Sequence, residues 1–311
     1  MFKPYGVYAA MLTPFRADGE VNEEVLRRLV DFLIAKGLHG LFPVSSVGEF
    51  AHMTLEQCVQ TMEIVFDQAK GRAAVTPGVS STCAEHSIKL ARKAQELGCQ
   101  GVVICPPYYY SISQENMEKH FELVADSVEI PVILYNIPLF ATPISNDVVK
   151  RLSRRKNVVG MKDSSGNMVE LMHYMDKARL AGSDMNFMTG REEILAPALF
   201  AGASGCMTGC AGIIPEIMVG IWDAFHAGDY AKANRIQVAM LALVRAMFAA
   251  PFPVGFKAAL EMRGFEMGPP KQPLAASEEF NVSGIKARTK SILQSLLEFI
   301  DKEGLDKEGK A

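Results

Sequence analysis

The chain has 311 residues, of which 49% are hydrophobic and 22% charged, and its formal net charge is -3. This composition is that of an ordinary globular protein and excludes disordered and collagen-like classes. Because basic residues are not in excess, the charge does not indicate a nucleic-acid or anionic-membrane partner, and we expect small-molecule ligands.

The amino-terminal stretch MFKPYGVYAAMLTPF contains one lysine, an early proline and an interrupted apolar run. It is too short and too broken for a signal peptide or a membrane-spanning helix, so we expect a cytoplasmic protein. None of the six cysteines forms a CxxC pair or has a ligand-like spacing to a histidine. Cys206 and Cys210 lie in a glycine-rich stretch where small-residue packing is the commoner explanation, and no metal site is predicted.

Short apolar runs alternate with helical patterns along the first 227 residues. The runs read GVYAAMLTPF, GLFPVSS, AAVTPGVS, GVVICPPYY, PVILYNIP, VVGMKDSS, MNFMTGR and SGCMTGCAG. The patterns between them repeat apolar residues at intervals of three and four, and Gly37, Gly71 and Gly98 stand where glycines end helices. Strands and helices are therefore predicted to alternate regularly.

The strand-like runs are apolar without strict alternation, which is typical of strands buried on both faces. Eight βα units in roughly 220 residues predict an α/β fold, a (β/α)8 barrel over residues 1–227, rather than an open doubly wound sheet. Helical patterns between 228 and 300 predict a carboxyl-terminal extension, 228–311, packed on the barrel. Residues 301–311 carry charge and glycine but little apolar surface, so we expect a flexible tail there.

Enzymes with this barrel carry their chemistry at the carboxyl ends of the strands. Polar side chains follow several of the predicted strands, and we expect them to meet at one mouth. They are Ser45 and Ser46 after the second strand, Tyr108 to Tyr110 after the fourth, Tyr135 at the fifth, Lys162 at the sixth, and Arg191 and Glu192 after the seventh.

Lys162 ends an apolar strand, and a lysine beside an acid such as Asp163 is often solvated or ion-paired. In an apolar pocket, however, desolvation favours the neutral amine, which attacks a ketone to form a Schiff base. A phenol within reach can carry the protons for forming and hydrolysing that imine. Tyr135, one βα unit earlier, is placed to do so.

The sequence resembles the dihydrodipicolinate synthase and N-acetylneuraminate lyase superfamily of pyruvate-dependent class I aldolases. The resemblance runs from AAMLTPF to PFPVGFKAALEMRG, and the order and spacing of its motifs make it specific. The motifs are SSVGEF at 45–50, PPYYY at 106–110, YNIP at 135–138, GMKDSSG at 160–166 and GASGCMTG at 202–209. It implies a barrel enzyme that needs no cofactor beyond a covalent imine and assembles as a homodimer or homotetramer.

Carried over to the matching positions, the resemblance makes Lys162 the Schiff-base lysine and Tyr135 the general acid and base. Ser46 then links Tyr135 to Tyr109, a tyrosine that reaches into the site of a neighbouring subunit. The carbonyl of Met207 faces the pyruvate-derived carbon.

The loop that follows the second strand would bind the pyruvate carboxylate. Its Gly48 and Glu49 match the family's GE pair, and the glycine lets backbone N–H groups approach a carboxylate closely. Ser45 belongs to the same loop, although both serines are also suited to capping it. Val47 departs from the family pattern, which has a second hydroxyl residue there, so backbone N–H groups must do more of the binding.

Phe140 is the second departure. It stands where dihydrodipicolinate synthases commonly have an arginine that binds the carboxylate of their aldehyde substrate, and an unpaired carboxylate there is costly to desolvate. Arg191 is a candidate to supply the missing cation, and Glu192 to bind sugar hydroxyls. The alternative is that both residues, with Glu193, form a solvated helix start.

The main prediction is thus a pyruvate-dependent Schiff-base lyase or synthase, which condenses pyruvate with an aldehyde or cleaves a 2-keto-3-deoxy (sugar) acid. The first alternative is a true 4-hydroxy-tetrahydrodipicolinate synthase of lysine biosynthesis. Phe140, in place of the usual arginine, makes this alternative less favourable. The second is a non-catalytic binding or regulatory barrel, against which the presence of Lys162 and Tyr135 argues.

Overall fold

The computed structural model describes residues 1–307, apart from the side chain of residue 280. Eight strands alternate with eight helices, and four further helices follow. The elements are β1 (Gly6–Ala10), α1 (Glu23–Ala35), β2 (Gly40–Phe42), α2 (Leu55–Ala69), β3 (Ala74–Val75), α3 (Ala84–Leu97), β4 (Val102–Ile104), α4 (Gln114–Ala125), β5 (Val132–Asn136), α5 (Asn146–Leu152), β6 (Val158–Asp163), α6 (Met168–Leu180), β7 (Asn186–Thr189), α7 (Leu195–Phe200), β8 (Gly205–Thr208), α8 (Pro215–His226), α9 (Tyr230–Ala239), α10 (Leu241–Phe248), α11 (Val254–Glu261) and α12 (Ala276–Glu303).

The strands form one parallel sheet in the order β3-β2-β1-β8-β7-β6-β5-β4. Its two outer strands are joined just past β3, where the Val103 N–H donates to the Pro77 carbonyl (2.9 Å) and the Val79 N–H donates to the Val103 carbonyl (2.9 Å). These bonds close the sheet into a barrel, so the predicted (β/α)8 fold is confirmed. Strands β5 and β6 are buried along their whole length, including the polar residues with which they end.

Side chains fix where the helices begin. Thr54 and Gln57 form a capping box at the start of α2, each side chain bonding to the other residue's backbone N–H. Asn167 accepts hydrogen bonds from the N–H groups of Val169 and Glu170 at the start of α6. The turn between β6 and α6 is therefore fixed directly after the strand that carries Lys162.

The four helices after α8 pack against the barrel, and α10 and α11 lie over the carboxyl ends of its strands. In the first part of the predicted tail, α12 runs to Glu303 and the side chain of Leu305 is buried. The Asp306 carboxylate lies 2.8 Å from the amine of Lys36. Residues 308–311 of the predicted tail lie outside the described residues.

None of the helices among residues 1–307 combines the length and the apolar composition that a membrane crossing requires. The same residues contain no group of three or more His, Cys, Asp or Glu side chains placed to hold a metal ion.

Candidate active site

A cavity opens at the carboxyl ends of the strands. Most of the residues predicted for the site from sequence line it, namely Ser46, Val47, Tyr135, Phe140, Lys162, Arg191 and Glu192. Its lining does not include Ser45, Gly48, Glu49, Tyr109 or Met207. The barrel topology thus brings predicted site residues from Ser46 to Glu192, which are far apart in the sequence, to one mouth.

Lys162 and Tyr135 form the centre of the cavity. They are register partners on the neighbouring parallel strands β6 and β5, so both side chains point into the barrel at the same height. The Lys162 amine lies 4.0 Å from the centre of the Tyr135 ring and 4.9 Å from that of Phe42. Lys162 is 3% exposed, and within residues 1–307 no carboxylate forms an ion pair with it.

Asp163 points away from Lys162, because successive side chains of a strand face opposite sides. Its carboxylate accepts hydrogen bonds from the Asn136 amide (2.7 Å) and the Ser165 hydroxyl (2.7 Å). Burial raises the pKa of Asp163, while these hydrogen bonds partly offset the effect. The ion pair between Lys162 and Asp163, considered as an alternative from sequence, does not form.

The loop after β2 places Ser46 beside Tyr135, and the two hydroxyl oxygens lie 3.5 Å apart, at the outer limit of a hydrogen bond. Ser45 braces the loop, because its hydroxyl donates to the Met11 carbonyl (2.8 Å) and accepts from the Gly48 N–H (3.2 Å). A β-carbon on Gly48 would lie 2.6 Å from the Met11 carbonyl oxygen, so this position requires glycine. The capping role considered for Ser45 is the one observed.

Glu49 is buried away from Lys162 and forms an ion pair with Lys257 of α11. One carboxylate oxygen lies 2.8 Å from the Lys257 amine, and the other accepts from the Lys271 N–H (2.7 Å). Lys257 also donates to the Pro269 carbonyl (3.0 Å), and burial lowers its pKa while Glu49 opposes that shift. The Glu49 carboxylate therefore connects the loop to α11 and is not directed at the Lys162 cavity.

Glu192 and Arg191 are both engaged within the protein. One carboxylate oxygen of Glu192 accepts from the N–H groups of Gly209 (3.0 Å) and Cys210 (3.2 Å), and burial raises its pKa. Arg191 donates to Glu193 (2.8 Å), and its guanidinium lies 5.1 Å from the centre of the Phe248 ring. Glu192 is 4% exposed because it holds the turn after β8, so the alternative of a solvated helix start does not describe it.

Tyr109 and Met207 do not approach Lys162 through their side chains. Tyr109 is 85% exposed, has a φ of 85° and packs edge-on against Tyr110. Its neighbour Tyr108 is packed against Phe50, and burial raises the pKa of Tyr108 to about 12. Met207 is buried in β8, where it pairs with β1.

Sequence reasoning missed an aromatic side of the cavity. Phe248, Phe252 and Phe256, from the carboxyl-terminal extension, line the cavity opposite the strand ends. The sequence feature that could have indicated them is the cluster of phenylalanines in AMFAAPFPVGF. From the helical pattern alone, we expected this segment to pack against the barrel. Lys257, a lysine inside an apolar helix, was a second signal, since a buried lysine requires a partner.

Comparison with known proteins gives matches over most of the chain. Residues 3–292 match the sequence model of the dihydrodipicolinate synthetase family. A 4-hydroxy-tetrahydrodipicolinate synthase of Pelobacter propionicus is 35% identical over 276 residues, which is 88% of this chain and 93% of the relative. An uncharacterized DapA-like lyase of Thermofilum pendens is 32% identical over 275 residues, 87% of this chain and 90% of the relative.

Solved structures give the same result. The Escherichia coli K12 prophage protein YagE, described as a member of the dihydrodipicolinic acid synthase family and solved in complex with pyruvate, superposes with a TM-score of 0.86 at 30% identity. The match covers 94% of this chain and 98% of that one. The chloride-inhibited dihydrodipicolinate synthase of Acinetobacter baumannii, also with pyruvate, has a TM-score of 0.83 at 26% identity, over 92% and 98% of the two chains.

The ion pair between Glu49 and Lys257 predicts a specific loss of stability. Lys257→Met leaves the Glu49 carboxylate buried without its cation and should lower the free energy of unfolding in urea by ~3–5 kcal/mol. Adding Glu49→Gln to that variant should recover part of the loss. Lys286→Met is the matched control, because Lys286 pairs with Glu261 at a partly exposed position, and this variant should lose at most ~1 kcal/mol. Equal losses for the two lysine variants would contradict a structural role of the buried pair.

Proposed function

Since the chain belongs to the dihydrodipicolinate synthetase family, whose members are carbon–carbon lyases and synthases of the class I aldolase type, we propose that it condenses pyruvate with an aldehyde through an imine on Lys162, or cleaves the corresponding 2-keto-3-deoxy acid. The observation that carries the proposal is the buried Lys162 amine, 4.0 Å from the centre of the Tyr135 ring and without a carboxylate partner among residues 1–307. An amine in such surroundings is suited to nucleophilic attack.

The reaction needs protons to be moved at three stages. The Lys162 amine adds to the pyruvate ketone, and the resulting carbinolamine loses water once its oxygen is protonated. Tyr135, whose phenol lies next to Ser46, is the candidate to give that proton, then to take a proton from the methyl carbon of the imine as the enamine forms, and later to give it to the aldehyde oxygen. Water then hydrolyses the imine and restores the amine, so the protein needs no other cofactor.

The pyruvate carboxylate would be held by the loop after β2. The N–H groups of Gly48 and Glu49 bond to the Ser45 and Ser46 carbonyls within this loop. Those of Ser46 and Val47 have no acceptor among residues 1–307 and are therefore available for a carboxylate. This arrangement supports binding through backbone groups, as the missing hydroxyl at Val47 requires.

A second candidate function is suggested by the relatives named 4-hydroxy-tetrahydrodipicolinate synthase. Such an enzyme takes an aldehyde that bears a carboxylate, and its usual arginine is replaced here by Phe140. Arg191, the only other candidate considered, is bound to Glu193. We therefore rank this function second. A cytoplasmic location stays a prediction of the sequence.

The proposed imine can be trapped. Borohydride added with pyruvate should leave a stable adduct on Lys162, which peptide mass spectrometry can map. The other fully buried lysines, Lys36 and Lys257, are internal controls, because both are ion-paired with acids. An adduct on either of these, or none at all, would refute the assignment of Lys162.

Tyr135 is tested by removing its hydroxyl while keeping its ring. Tyr135→Phe should lower kcat by roughly 10²- to 10⁴-fold, with little change in stability, because the ring packing stays and only the proton carrier is lost. Tyr174→Phe is the matched control: its buried hydroxyl donates to the Ile144 carbonyl (2.6 Å) outside the cavity. That control should lose about 1 kcal/mol of stability and keep its rate. A fully active Tyr135→Phe protein would mean that protons travel by another route.

We further propose a homodimer or homotetramer in which Tyr109 completes the site of a neighbouring subunit. Its 85% exposure and its left-handed backbone support a role outside its own subunit. Tyr109→Phe should lower kcat at unchanged oligomeric state, whereas Tyr110→Phe, at the adjacent exposed ring, should not. Light scattering and activity measured across a dilution series check the assembly, and a fully active monomer would remove Tyr109 from the site.

A further inference from the structure

We infer that the second substrate is an uncharged aldehyde with an apolar tail, either aromatic or branched aliphatic, which packs against four phenylalanines of the cavity. The inference rests on the proposed function, because it concerns the partner of pyruvate at the same site. We call Phe140, Phe248, Phe252 and Phe256 the phenylalanine wall.

The phenylalanine wall is one continuous aromatic surface. The ring centres of Phe140 and Phe252 are 5.5 Å apart, those of Phe252 and Phe256 are 5.7 Å apart, and those of Phe248 and Phe256 are 5.1 Å apart. Phe256 is buried behind the others, while Phe140 is 46% and Phe248 37% exposed. Two large rings thus present apolar area at the mouth that a ligand can remove from water.

The two charged residues beside the wall, Glu192 and Arg191, are already engaged. The Glu192 carboxylate accepts from two backbone N–H groups of the turn after β8. Arg191 is bound to Glu193, whose second carboxylate oxygen is buried and has no hydrogen-bond partner among residues 1–307. Moving Arg191 onto a substrate carboxylate would leave Glu193 with no partner for either oxygen, which is unfavourable for a partly buried charge.

These contacts select against two classes of aldehyde. An aldehyde with a carboxylate needs a cation, and Arg191 is not available without disrupting its pair with Glu193. An aldehyde with several hydroxyls would place them against phenyl rings, where they lose water without gaining hydrogen bonds. An apolar tail has neither requirement.

There is also room for a tail beyond the reacting carbonyl. An adjoining cavity of about 350 Å³ shares Phe140 and Phe252 with the active-site cavity and adds the rings of Phe50 and Tyr108. The apolar surface therefore continues away from Lys162 and does not end at the wall.

The reaction balances without any further reagent. After Tyr135 has protonated the departing water, its phenolate takes a proton from the methyl carbon of the pyruvate imine, which gives the enamine. The enamine carbon bonds to the aldehyde carbon, and the carbonyl electron pair moves to the aldehyde oxygen, which takes that proton from Tyr135. One water then adds to the imine, returns a proton to Tyr135 and releases the amine, so the water lost when the imine formed is replaced. The product is a 4-hydroxy-2-oxo acid that carries the apolar group on carbon 4, and cleavage is the same sequence reversed.

The test compares four aldehydes with pyruvate on the purified full-length protein. Benzaldehyde and isobutyraldehyde represent the inferred class, glyceraldehyde the hydroxylated class and aspartate β-semialdehyde the charged class. Product formation is measured by chromatography. The kcat/KM for benzaldehyde or isobutyraldehyde should be at least roughly tenfold higher than the kcat/KM for glyceraldehyde or the semialdehyde. A higher kcat/KM for glyceraldehyde or the semialdehyde would overturn the inference, whether or not any variant folds.

Variants locate the effect on the wall. Phe140→Ser and Phe252→Ser should each lower kcat/KM for benzaldehyde roughly tenfold or more and leave borohydride trapping of pyruvate on Lys162 unchanged. Phe200→Ser is the matched control, since Phe200 is 58% exposed in a separate aromatic cluster with Phe225 and Tyr230. Wall variants that change the oligomeric state in light scattering but keep the aldehyde preference would overturn the inference, because the wall would then be a subunit contact.

Trapping with borohydride distinguishes a failure of the proposed function from a failure of the inferred substrate class. If pyruvate forms no adduct on Lys162, the proposed function fails, and the inference that rests on it fails too. If the adduct forms and the protein prefers polar aldehydes, the proposed function stands and only the inferred substrate class is refuted.

Discussion

The site depends on one buried amine that is held among aromatic rings instead of beside an acid. Parallel register brings Lys162 of β6 and Tyr135 of β5 to the same height, and Phe42 of β2 adds a second ring. A cation can lie against ring faces, yet these faces do not hold the amine as a carboxylate would. Since the strand pleat turns Asp163 to the opposite side, the amine stays free to react.

Most of the acids and hydroxyls around the mouth stabilise backbone turns. Ser45 stabilises the loop after β2, and Asp163 stabilises the turns after β5 and β6. Glu192 stabilises the turn after β8. Glu49 joins its loop to α11 through Lys257. Charged groups that look available in the sequence are thus used to make the mouth rigid, and the recognition of small molecules is left to backbone N–H groups and aromatic rings.

The sequence predicted the barrel and the central pair because both follow from local patterns: buried strands at regular spacing, and polar residues at strand ends. It did not predict the partners of Glu49 or Glu192, because these contacts join segments far apart in the chain, such as residues 49 and 257. The position of Phe248 and Phe252 was missed for a related reason. Helical periodicity indicates that a helix has an apolar face, but it does not indicate which part of a barrel that face covers.

The position of α10 and α11 has a consequence for how such an enzyme can diversify. Lys162 and Tyr135 are carried by the strands, whereas three of the four residues of the phenylalanine wall come from the segment 248–256. This segment can accept substitutions, or be exchanged between relatives, without altering the register of Lys162 and Tyr135. One condition limits the exchange: Lys257, which follows the segment directly, must be kept, or the buried Glu49 loses its partner and the loop proposed to hold pyruvate loses its anchor.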